Sequence, residues 1–380
     1  MSFKKKVLLC FLSLILMLAA LELGLQLINL TKRFFQRSSE HQTLSLSPYK
    51  DKDWAKPYFE EFEVSHTTDY QSFYEWRRPE FHGQYINVLP GGIRKTWNPE
   101  FSDQQNFSTI YTFGGSTMWG TGARDDFTIP SLLSKNLNQN KSNYLVMNFG
   151  ESGYTLTQEI IYLLLKLKQG EKPDYVIFYD GVNDIYAAYQ SGQPGQIQNF
   201  KQRQKKMSSS SAFIRLKEAV LDLIKEKYLT YSAFQNLKSM NKKDNSIEGL
   251  TASEYNDQQL NDLAQEIVDD YLQNIEVIES LSRIHGFRYL MLWQPILYTN
   301  QAVTAEESGL SGWQDKQQIK LYRLVYNIMQ NQQLNYFYNL ASLLDSKEKT
   351  LFIDFHHLAE EGNKIIADRV YQLLQKEFSL

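Results

Sequence analysis

Several features are scarce in this chain of 380 residues, and each scarcity excludes a class of protein. There is one cysteine, Cys10, so the rest of the chain can form no internal disulfide, catalytic thiol or cysteine-based zinc site. A basic surplus is also missing, because the formal net charge is −3, and this argues against nucleic acid as the main partner. Mean hydropathy is −0.44, which excludes a polytopic membrane protein.

One long apolar run is present, at the N-terminus. Lysines at positions 4–6 precede an apolar stretch over residues 7–30, a pattern typical of an export signal and long enough to cross a bilayer. We expect residues 1–30 to be an uncleaved signal anchor, with the rest of the chain on the extracytoplasmic side of the membrane. Cleavage and secretion are the alternative, although Leu18 and Ala20 fit the −3 and −1 positions of a cleavage site poorly.

The remaining chain divides by its pattern. Residues 31–108 are aromatic-rich without a helical period, so we expect an extension of extended segments and turns. From residue 109 strands alternate with helical segments, which predicts an α/β fold: a three-layer α/β/α domain over 109–380 with a central parallel sheet. A helical insertion is expected at about 190–256, beginning with a charged linker at 201–206, and is either a surface excursion or a lid. The predicted strands are 109–113, 144–148, 175–179 and 287–293, and the main predicted helices are 157–168, 258–284 and 315–331.

Polar blocks follow the predicted strands, where the chemistry of a parallel sheet is expected. A serine hydroxyl needs a base to take its proton, and a histidine base needs a carboxylate on its other nitrogen. Asp354 and His357 supply both groups in an Asp-x-x-His turn, and Ser116 stands in a glycine-rich turn after the first strand. Backbone N–H groups of Ser116 and Gly153, with the Asn183 amide, are expected to form an oxyanion hole. The blocks together predict a hydrolytic site with Ser116 as nucleophile.

Other interpretations of these residues are weaker. Gly115 to Gly120 has the spacing of a phosphate-binding loop, but Thr121 stands where lysine is needed, so we expect no cofactor. His356 and His357 with scattered acids make no convincing metal-ligand set, so no metal is expected. Both histidines compete for the role of base, and the Asp-x-x-His spacing favours His357.

Three further residues are candidates for substrate contact. Trp119 and Tyr154 flank the site in sequence, and Gln294 ends a predicted strand. Core packing is an equally good interpretation of the two aromatic residues.

The ordered blocks resemble the SGNH/GDSL hydrolase family from about residue 109 to the C-terminus, without the insertion. The family's serine, glycine and asparagine blocks match Ser116, Gly153 and residues 181–184, and its Asp-x-x-His block matches Asp354 and His357. Thr117 departs from the leucine of the family's Asp-Ser-Leu, and Gly115 from its aspartate.

This resemblance implies a serine esterase that hydrolyses an O-acyl ester, expected to be O-acetyl, on a cell-surface glycan. Residues 87–94 are similar to a segment of bacterial envelope members linked to surface polysaccharides. An O-acyltransferase would use the same site if a sugar hydroxyl replaced water, and a non-catalytic polysaccharide-binding protein is a further alternative. The sequence does not indicate the oligomeric state.

Overall fold

The computed structural model describes residues 43–101, 106–140, 143–208, 251–310, 315–345 and 348–380, together with the single residue Lys5. The chain divides into two compact units. Leu44–Phe200 and Gly249–Leu380 form the unit that contains the sheet, and Met1–Thr43 and Lys201–Glu248 form the other. The predicted anchor and most of the predicted insertion therefore lie outside the described residues. Within the described part of the chain, no helix is long and apolar enough to span a membrane.

Ten strands are found in the described residues, and eight of them form the central sheet in the order β10-β9-β8-β6-β7-β5-β4-β3. Strands β6 to β10 are parallel, whereas β3, β4 and β5 extend the sheet in antiparallel fashion beyond β7. The predicted α/β fold with a mostly parallel sheet flanked by helices is confirmed. The strands are β1 (Asp69–Gln71), β2 (Glu75–Arg77), β3 (Phe81–His82), β4 (Asn87–Leu89), β5 (Ile93–Arg94), β6 (Ser108–Gly114), β7 (Tyr144–Asn148), β8 (Tyr175–Asp180), β9 (Arg288–Trp293) and β10 (Phe337–Asn339).

Helices connect the parallel strands, and local sequence signals explain where they begin. Thr128 accepts a hydrogen bond from the Ser131 N–H at the start of α3, and Asn256 caps α7 in the same way. Helix α3 packs against α10, while α7 packs against α4 and α9. The helices are α1 (Ala55–Ser65), α2 (Ser116–Trp119), α3 (Ile129–Leu137), α4 (Leu156–Lys168), α5 (Val182–Ser191), α6 (Phe200–Ser208), α7 (Asp257–His285), α8 (Ala305–Ser308), α9 (Lys316–Met329) and α10 (Glu360–Phe378).

The order of the strands places the site. Strand β6 lies between β7 and β8. The chain therefore passes from β6 to β7 on one side and then crosses to β8 on the other side of β6. Parallel sheets bind ligands outside the carboxyl ends of their strands at such a reversal. The side chains of Phe113 in β6, Phe178 in β8 and Leu290 in β9 are fully buried, and Phe113 lies opposite Phe178 in the register of the sheet.

The expectation of extended segments alone between residues 31 and 108 is wrong. Residues 55–65 form helix α1, which buries Tyr58 and tolerates Pro57 because a proline in the first helical turn breaks no helical hydrogen bond. Strands β3 to β5 of the same region belong to the central sheet. The charged segment 201–206, expected to be a linker, lies in helix α6.

Candidate active site

Ser116 lies directly beyond the carboxyl end of β6, as the first residue of the short helix α2. The residue before it must be small: a Cβ on Gly115 would lie 2.2 Å from the Nδ2 atom of Asn183. The absence of a side chain at Gly115 therefore allows Asn183 to approach the backbone that carries the serine.

Asp354 and His357 lie on the loop that precedes α10, and their hydrogen bonds fix the direction of the imidazole. The Asp354 carboxylate accepts hydrogen bonds from the backbone N–H groups of His356 and His357 at 2.9 and 2.8 Å. Its other oxygen lies 2.5 Å from Nδ1 of His357, and Nε2 of His357 lies 2.6 Å from Oγ of Ser116. Because a carboxylate only accepts, Nδ1 carries the proton and Nε2 presents its lone pair to the serine hydroxyl.

Asp354 is ionised at neutral pH, as an acceptor for the Nδ1 proton of His357 should be. Burial acts to raise its pKa, but the charges and hydrogen bonds of His357 and His356 outweigh burial and hold the pKa well below the usual value. Burial and the adjacent His357 lower the pKa of His356 to about 4. The two imidazole rings are 3.8 Å apart between centroids. At neutral pH the loop therefore carries an ionised aspartate beside an uncharged His356.

The predicted oxyanion-hole residues line the same cleft as Ser116. Gly153 has φ +78°, a backbone conformation that glycine adopts readily, and Asn183 lies in the first turn of α5. Gln198, which stands in no recognisable sequence motif, also reaches the cleft. Nε2 of Gln198 donates a hydrogen bond to Oδ1 of Asn183 at 3.0 Å.

Two interactions tie the site loops to one another. Oδ1 of Asp184 accepts a hydrogen bond at 3.0 Å from the N–H of Leu156, which links α5 to α4, and burial raises the pKa of this carboxyl to about 7. Arg124, in the loop after α2, donates two hydrogen bonds of 2.8 Å to the carboxylate of Glu360 in the first turn of α10. The serine and histidine loops are therefore joined by a two-point ion pair.

The cleft has a volume of about 470 Å³ and combines aromatic walls with polar groups. Phe62, Tyr186, Tyr322 and Phe355 contribute the aromatic surface. Ser116, Gly153, Asn183, Gln198, Asp354, His356 and His357 line it together with His66 and Ser152.

The N-terminal extension supports the loop that carries Gly153. The indole N–H of Trp76 donates to the carbonyl of Ser152 at 2.9 Å, and the N–H of Arg78 donates to the buried carboxylate of Glu151 at 2.9 Å. Nη2 of Arg78 lies 2.9 Å from Oγ of Ser152 and 3.1 Å from Nδ1 of His66. Burial lowers the pKa of Arg78 to about 10, so the guanidinium remains charged at neutral pH.

The Arg78 contacts decide which tautomer His66 adopts. A guanidinium can only donate, so Nδ1 of His66 must accept and the ring proton is on Nε2. Burial and the nearby Arg78 lower the pKa of His66, which keeps the ring uncharged at neutral pH. Ser152 likewise accepts from Arg78, which leaves its own hydroxyl hydrogen for another acceptor. His66 and Ser152 therefore add hydrogen-bond donors to the wall of the cleft.

The three predicted substrate contacts do not line the cleft. Trp119 is fully buried, and its ring lies between the guanidinium groups of Arg78 and Arg94, which are 3.4 and 4.1 Å from the ring centroid. Tyr154 is also fully buried, and its hydroxyl donates to the carbonyl of Trp76. The prediction of substrate contact is therefore wrong for both aromatic residues, because the extension covers them.

Gln294 is the third of these predictions, and it is wrong as well. Its side chain is buried, and its Oε1 accepts a weak hydrogen bond from the Thr117 hydroxyl at 3.4 Å. Its carbonyl accepts a hydrogen bond from the Tyr326 hydroxyl at 2.8 Å. Gln294 thus lies beneath α2 instead of facing the cleft.

One group in the described residues has the composition of a metal site: Asp354, His356 and His357, whose candidate ligand atoms all lie within 4.8 Å of one another. Asp354 and Nδ1 of His357 are hydrogen-bonded to each other, and Nε2 of His357 faces Ser116. A metal ion here would have to replace these hydrogen bonds, so the donor set fits the serine-histidine arrangement better than a resident metal.

One family model matches most of this chain in sequence pattern. The GDSL-like Lipase/Acylhydrolase family matches residues 110–370. No curated protein matches the chain in sequence.

Solved structures also match the chain, each at low sequence identity and a low TM-score. The acetyl xylan esterase AlAXEase is 13% identical with a TM-score of 0.35, and the match covers 70% of this chain and 99% of that one. A member of the lipolytic protein G-D-S-L family from Veillonella parvula DSM 2008 is 12% identical with a TM-score of 0.36, over 72% of this chain and 98% of its own. A putative lipolytic protein of the G-D-S-L family from Desulfitobacterium hafniense DCB-2 is 13% identical with a TM-score of 0.32, over 70% and 99%.

The family match spans more than half of the chain and includes the serine, glycine, asparagine and histidine blocks. The chain therefore belongs to the GDSL-like lipase/acylhydrolase family and is an acylhydrolase that acts on ester bonds.

Proposed function

We propose that this acylhydrolase is a serine esterase that removes an O-acyl group, above all O-acetyl, from a cell-surface glycan. The observation that carries the proposal is the continuous hydrogen-bonded series from Ser116 Oγ through His357 to Asp354, with distances of 2.6 and 2.5 Å. This is the geometry in which an imidazole takes the serine proton while a carboxylate stabilises the imidazolium.

In the first half of the proposed reaction, Ser116 Oγ attacks the ester carbonyl carbon and His357 Nε2 takes the hydroxyl proton. The carbonyl oxygen becomes an oxyanion, which accepts hydrogen bonds from the N–H groups of Ser116 and Gly153 and from Nδ2 of Asn183. The carbon–oxygen bond to the alcohol then breaks, and His357 gives its proton to the departing sugar oxygen. Asp354 remains ionised throughout and stabilises the imidazolium.

The second half releases the acid. Water enters the position that the alcohol has left, His357 takes a proton from it, and the resulting hydroxide attacks the acyl-serine carbonyl. Ser116 leaves with the proton that His357 returns, which restores the starting state. A sugar hydroxyl in place of water would give acyl transfer by the same steps.

Support for a glycan substrate comes from the combination of polar and aromatic groups in the cleft walls. Sugars present many acceptor oxygens, and the Nε2–H of His66 and the hydroxyl of Ser152 are donors in the wall. Aromatic rings such as those of Phe62 and Tyr186 offer flat apolar surfaces for the carbon faces of a sugar ring.

We also propose that residues 1–30 anchor the enzyme in the membrane and place the catalytic domain on the extracytoplasmic side. The support is the lysine cluster followed by the apolar stretch. Alkaline carbonate extraction of membranes should leave the full-length protein in the pellet, and external protease should digest its C-terminal domain in intact spheroplasts. Recovery of a shortened chain in the soluble fraction would support cleavage instead.

Hydrolysis of 4-nitrophenyl acetate by the detergent-solubilised full-length protein tests the mechanism. Ser116→Ala and His357→Gln should each lower kcat at least about 1,000-fold. His356→Gln is the matched control, because this neighbouring ring has no hydrogen bond to Ser116, and it should lower kcat less than about tenfold. Equal losses at the two histidines, or turnover that survives Ser116→Ala, would contradict the proposal.

A second assay separates the alternatives. The wild-type protein is supplied with an O-acetylated glycan, or with an acetyl donor and the deacetylated glycan, and the products are read by mass spectrometry. Acetate release from the first mixture supports the esterase, whereas acetylated glycan from the second indicates a transferase. Glycan binding with neither product, in a protein that also fails on 4-nitrophenyl acetate, would indicate a binding protein.

A further inference from the structure

The segment between α5 and α6 brings a glutamine into the cleft. Its position is held by a reciprocal pair of hydrogen bonds next to it: Asn199 N–H donates to Oε1 of Gln190 at 2.9 Å, and Nε2 of Gln190 donates to Oδ1 of Asn199 at 3.1 Å. Gln198, the residue before Asn199, is half-buried and faces the site. The neighbouring pair thus fixes the backbone from which Gln198 projects.

Gln198 fixes the direction of the Asn183 amide. An amide side chain has an acceptor at one end and donors at the other, so a donor that binds Oδ1 determines where Nδ2 points. Nε2 of Gln198 occupies Oδ1 at 3.0 Å. Nδ2 of Asn183 is consequently directed at Gly115, where an added Cβ would lie only 2.2 Å from it. This is the peptide that leads directly into Ser116.

The other end of the same side chain lies against Gly153. A Cβ added to Gly153 would be 3.1 Å from Oε1 of Gln198, which is close contact. Gln198 therefore hydrogen-bonds to Asn183 and lies beside Gly153, the two oxyanion-hole candidates outside the serine loop. It is placed to hold the donors of two separate loops at a fixed separation.

We propose that Gln198 is a positioning residue that keeps the donor end of Asn183 turned towards the developing oxyanion. This inference rests on the proposed function, because it assigns Asn183 to the oxyanion hole. Without a donor on Oδ1, the amide can rotate by half a turn and present an acceptor oxygen to a negative charge. Loss of one oxyanion donor lowers kcat by about 100-fold or more, and it leaves the binding of the uncharged ester largely unchanged.

Replacement of Gln198 by glutamate gives the sharpest test. A carboxylate accepts only, so it would pair with Nδ2 of Asn183 and turn Oδ1 towards the oxyanion. We expect Gln198→Glu to lower kcat for 4-nitrophenyl acetate about 100-fold, with KM changed less than about threefold. Gln198→Met, which removes the donor without adding a charge, should lower kcat about tenfold. Gln193→Glu is the matched control: it makes the same change at an exposed position of the same segment, away from the cleft.

The Asn183→Ala background separates orientation from a plain effect of charge. If Gln198 acts through Asn183, adding Gln198→Glu to Asn183→Ala should change kcat less than about threefold. A further loss of about 100-fold in that background, or a Gln198→Glu variant as active as Gln193→Glu, would overturn the inference. Circular dichroism checks that each variant is folded. A Ser116→Ala protein that turns over the ester at the wild-type rate would instead overturn the proposed function. Failure of the inference about Gln198 and failure of the proposed function are therefore distinguishable.

Discussion

Two regions of the chain that contribute to the cleft hold their side chains in different ways. The loops after β6, β7 and β8 and before α10 carry the groups to which we assign the chemistry, and most of these lie within a few residues of a strand or helix end. The extension over residues 44–100 carries none of them. It instead buries Arg77 and Arg78 against the loop of Gly153, through hydrogen bonds to residues far away in the sequence.

The geometry of one region is set by contacts within a few residues, whereas that of the other depends on contacts between residues far apart in the sequence. A motif such as Asp354-x-x-His357 forms its own hydrogen bonds within one turn, so its geometry is encoded locally. The Gly153 loop depends on Glu151, whose carboxylate is shared by the Arg78 N–H, the Ser152 N–H and two guanidinium groups. The extension is therefore part of the site's scaffold, and changes in it should alter both stability and turnover.

Replacement of Arg78 should have the largest effect on stability. Arg78→Met removes one of two cations that compensate the buried Glu151, and we expect a loss of about 4 kcal/mol in the free energy of unfolding. Because Arg78 also holds Ser152, kcat should fall roughly tenfold in protein that remains folded. Chemical denaturation and 4-nitrophenyl acetate kinetics measure the two effects.

Lys56→Met is the control for this comparison, since it removes an exposed cation of the same extension whose ion pair with Glu60 lies in solvent. It should change stability by less than about 0.5 kcal/mol. If the Arg78→Met protein is as stable and as active as Lys56→Met, the claim that the extension supports the site is contradicted.

Replacement of Trp119 should have the next largest effect, and it sharpens the distinction between core and cleft. Trp119→Leu removes a buried ring together with its contacts to Arg78 and Arg94, at a cost of about 3 kcal/mol. KM for 4-nitrophenyl acetate should stay within about twofold, because the ring does not line the cleft. A rise in KM with unchanged thermal stability would contradict this interpretation and indicate that Trp119 contacts the substrate.

A smaller effect on stability is expected from the titration of His356, which lies in the loop that carries Asp354 and His357. Its pKa falls from the ordinary 6.5 to about 4 on folding, so the unfolded chain binds more protons between these values and stability decreases as pH falls through this window. At pH 5 the loss from this one group is about 2 kcal/mol relative to neutral pH. His356→Gln should lack that part of the acid destabilisation.

Denaturation of both proteins at pH 7.5 and pH 5 checks the prediction. The difference between the two proteins removes the contributions of Asp184 and of the other buried acids with raised pKa values, because these groups titrate in both. Parallel pH dependences of the two proteins would show that folding does not lower the pKa of His356.

Much of the parallel part of the fold was predictable from the sequence, and much less of the extension was. Strands β6 to β9 are runs of five to seven residues rich in β-branched and aromatic side chains, and helix α7 has apolar residues at helical spacing, so the sequence pattern predicts both. Strands β3 and β5 have two residues each, which is too short for any period to show. Helix α1 mixes acidic and aromatic residues around Pro57, which hides its buried face.

The site shows the same limit. Ser116, Asn183, Asp354 and His357 stand in recognisable blocks, and the structure brings them together. Gln198 stands in no motif, and its contact with Asn183 depends on the path of the chain after α5. The adjacent Arg77 and Arg78 stand in an aromatic stretch of the sequence, and this pairing is a signal from which a structural role of the extension could have been predicted.

The central claim, that Ser116 is the nucleophile activated by His357, is tested most directly by covalent labelling. The full-length protein is treated with a fluorophosphonate, which reacts with activated serines, and peptides are mapped by mass spectrometry. We predict one adduct on the peptide that contains Ser116, no adduct in Ser116→Ala, and strongly slowed labelling in His357→Gln but not in His356→Gln. Labelling of another serine, or of Ser116 at the same rate in His357→Gln, would contradict the account.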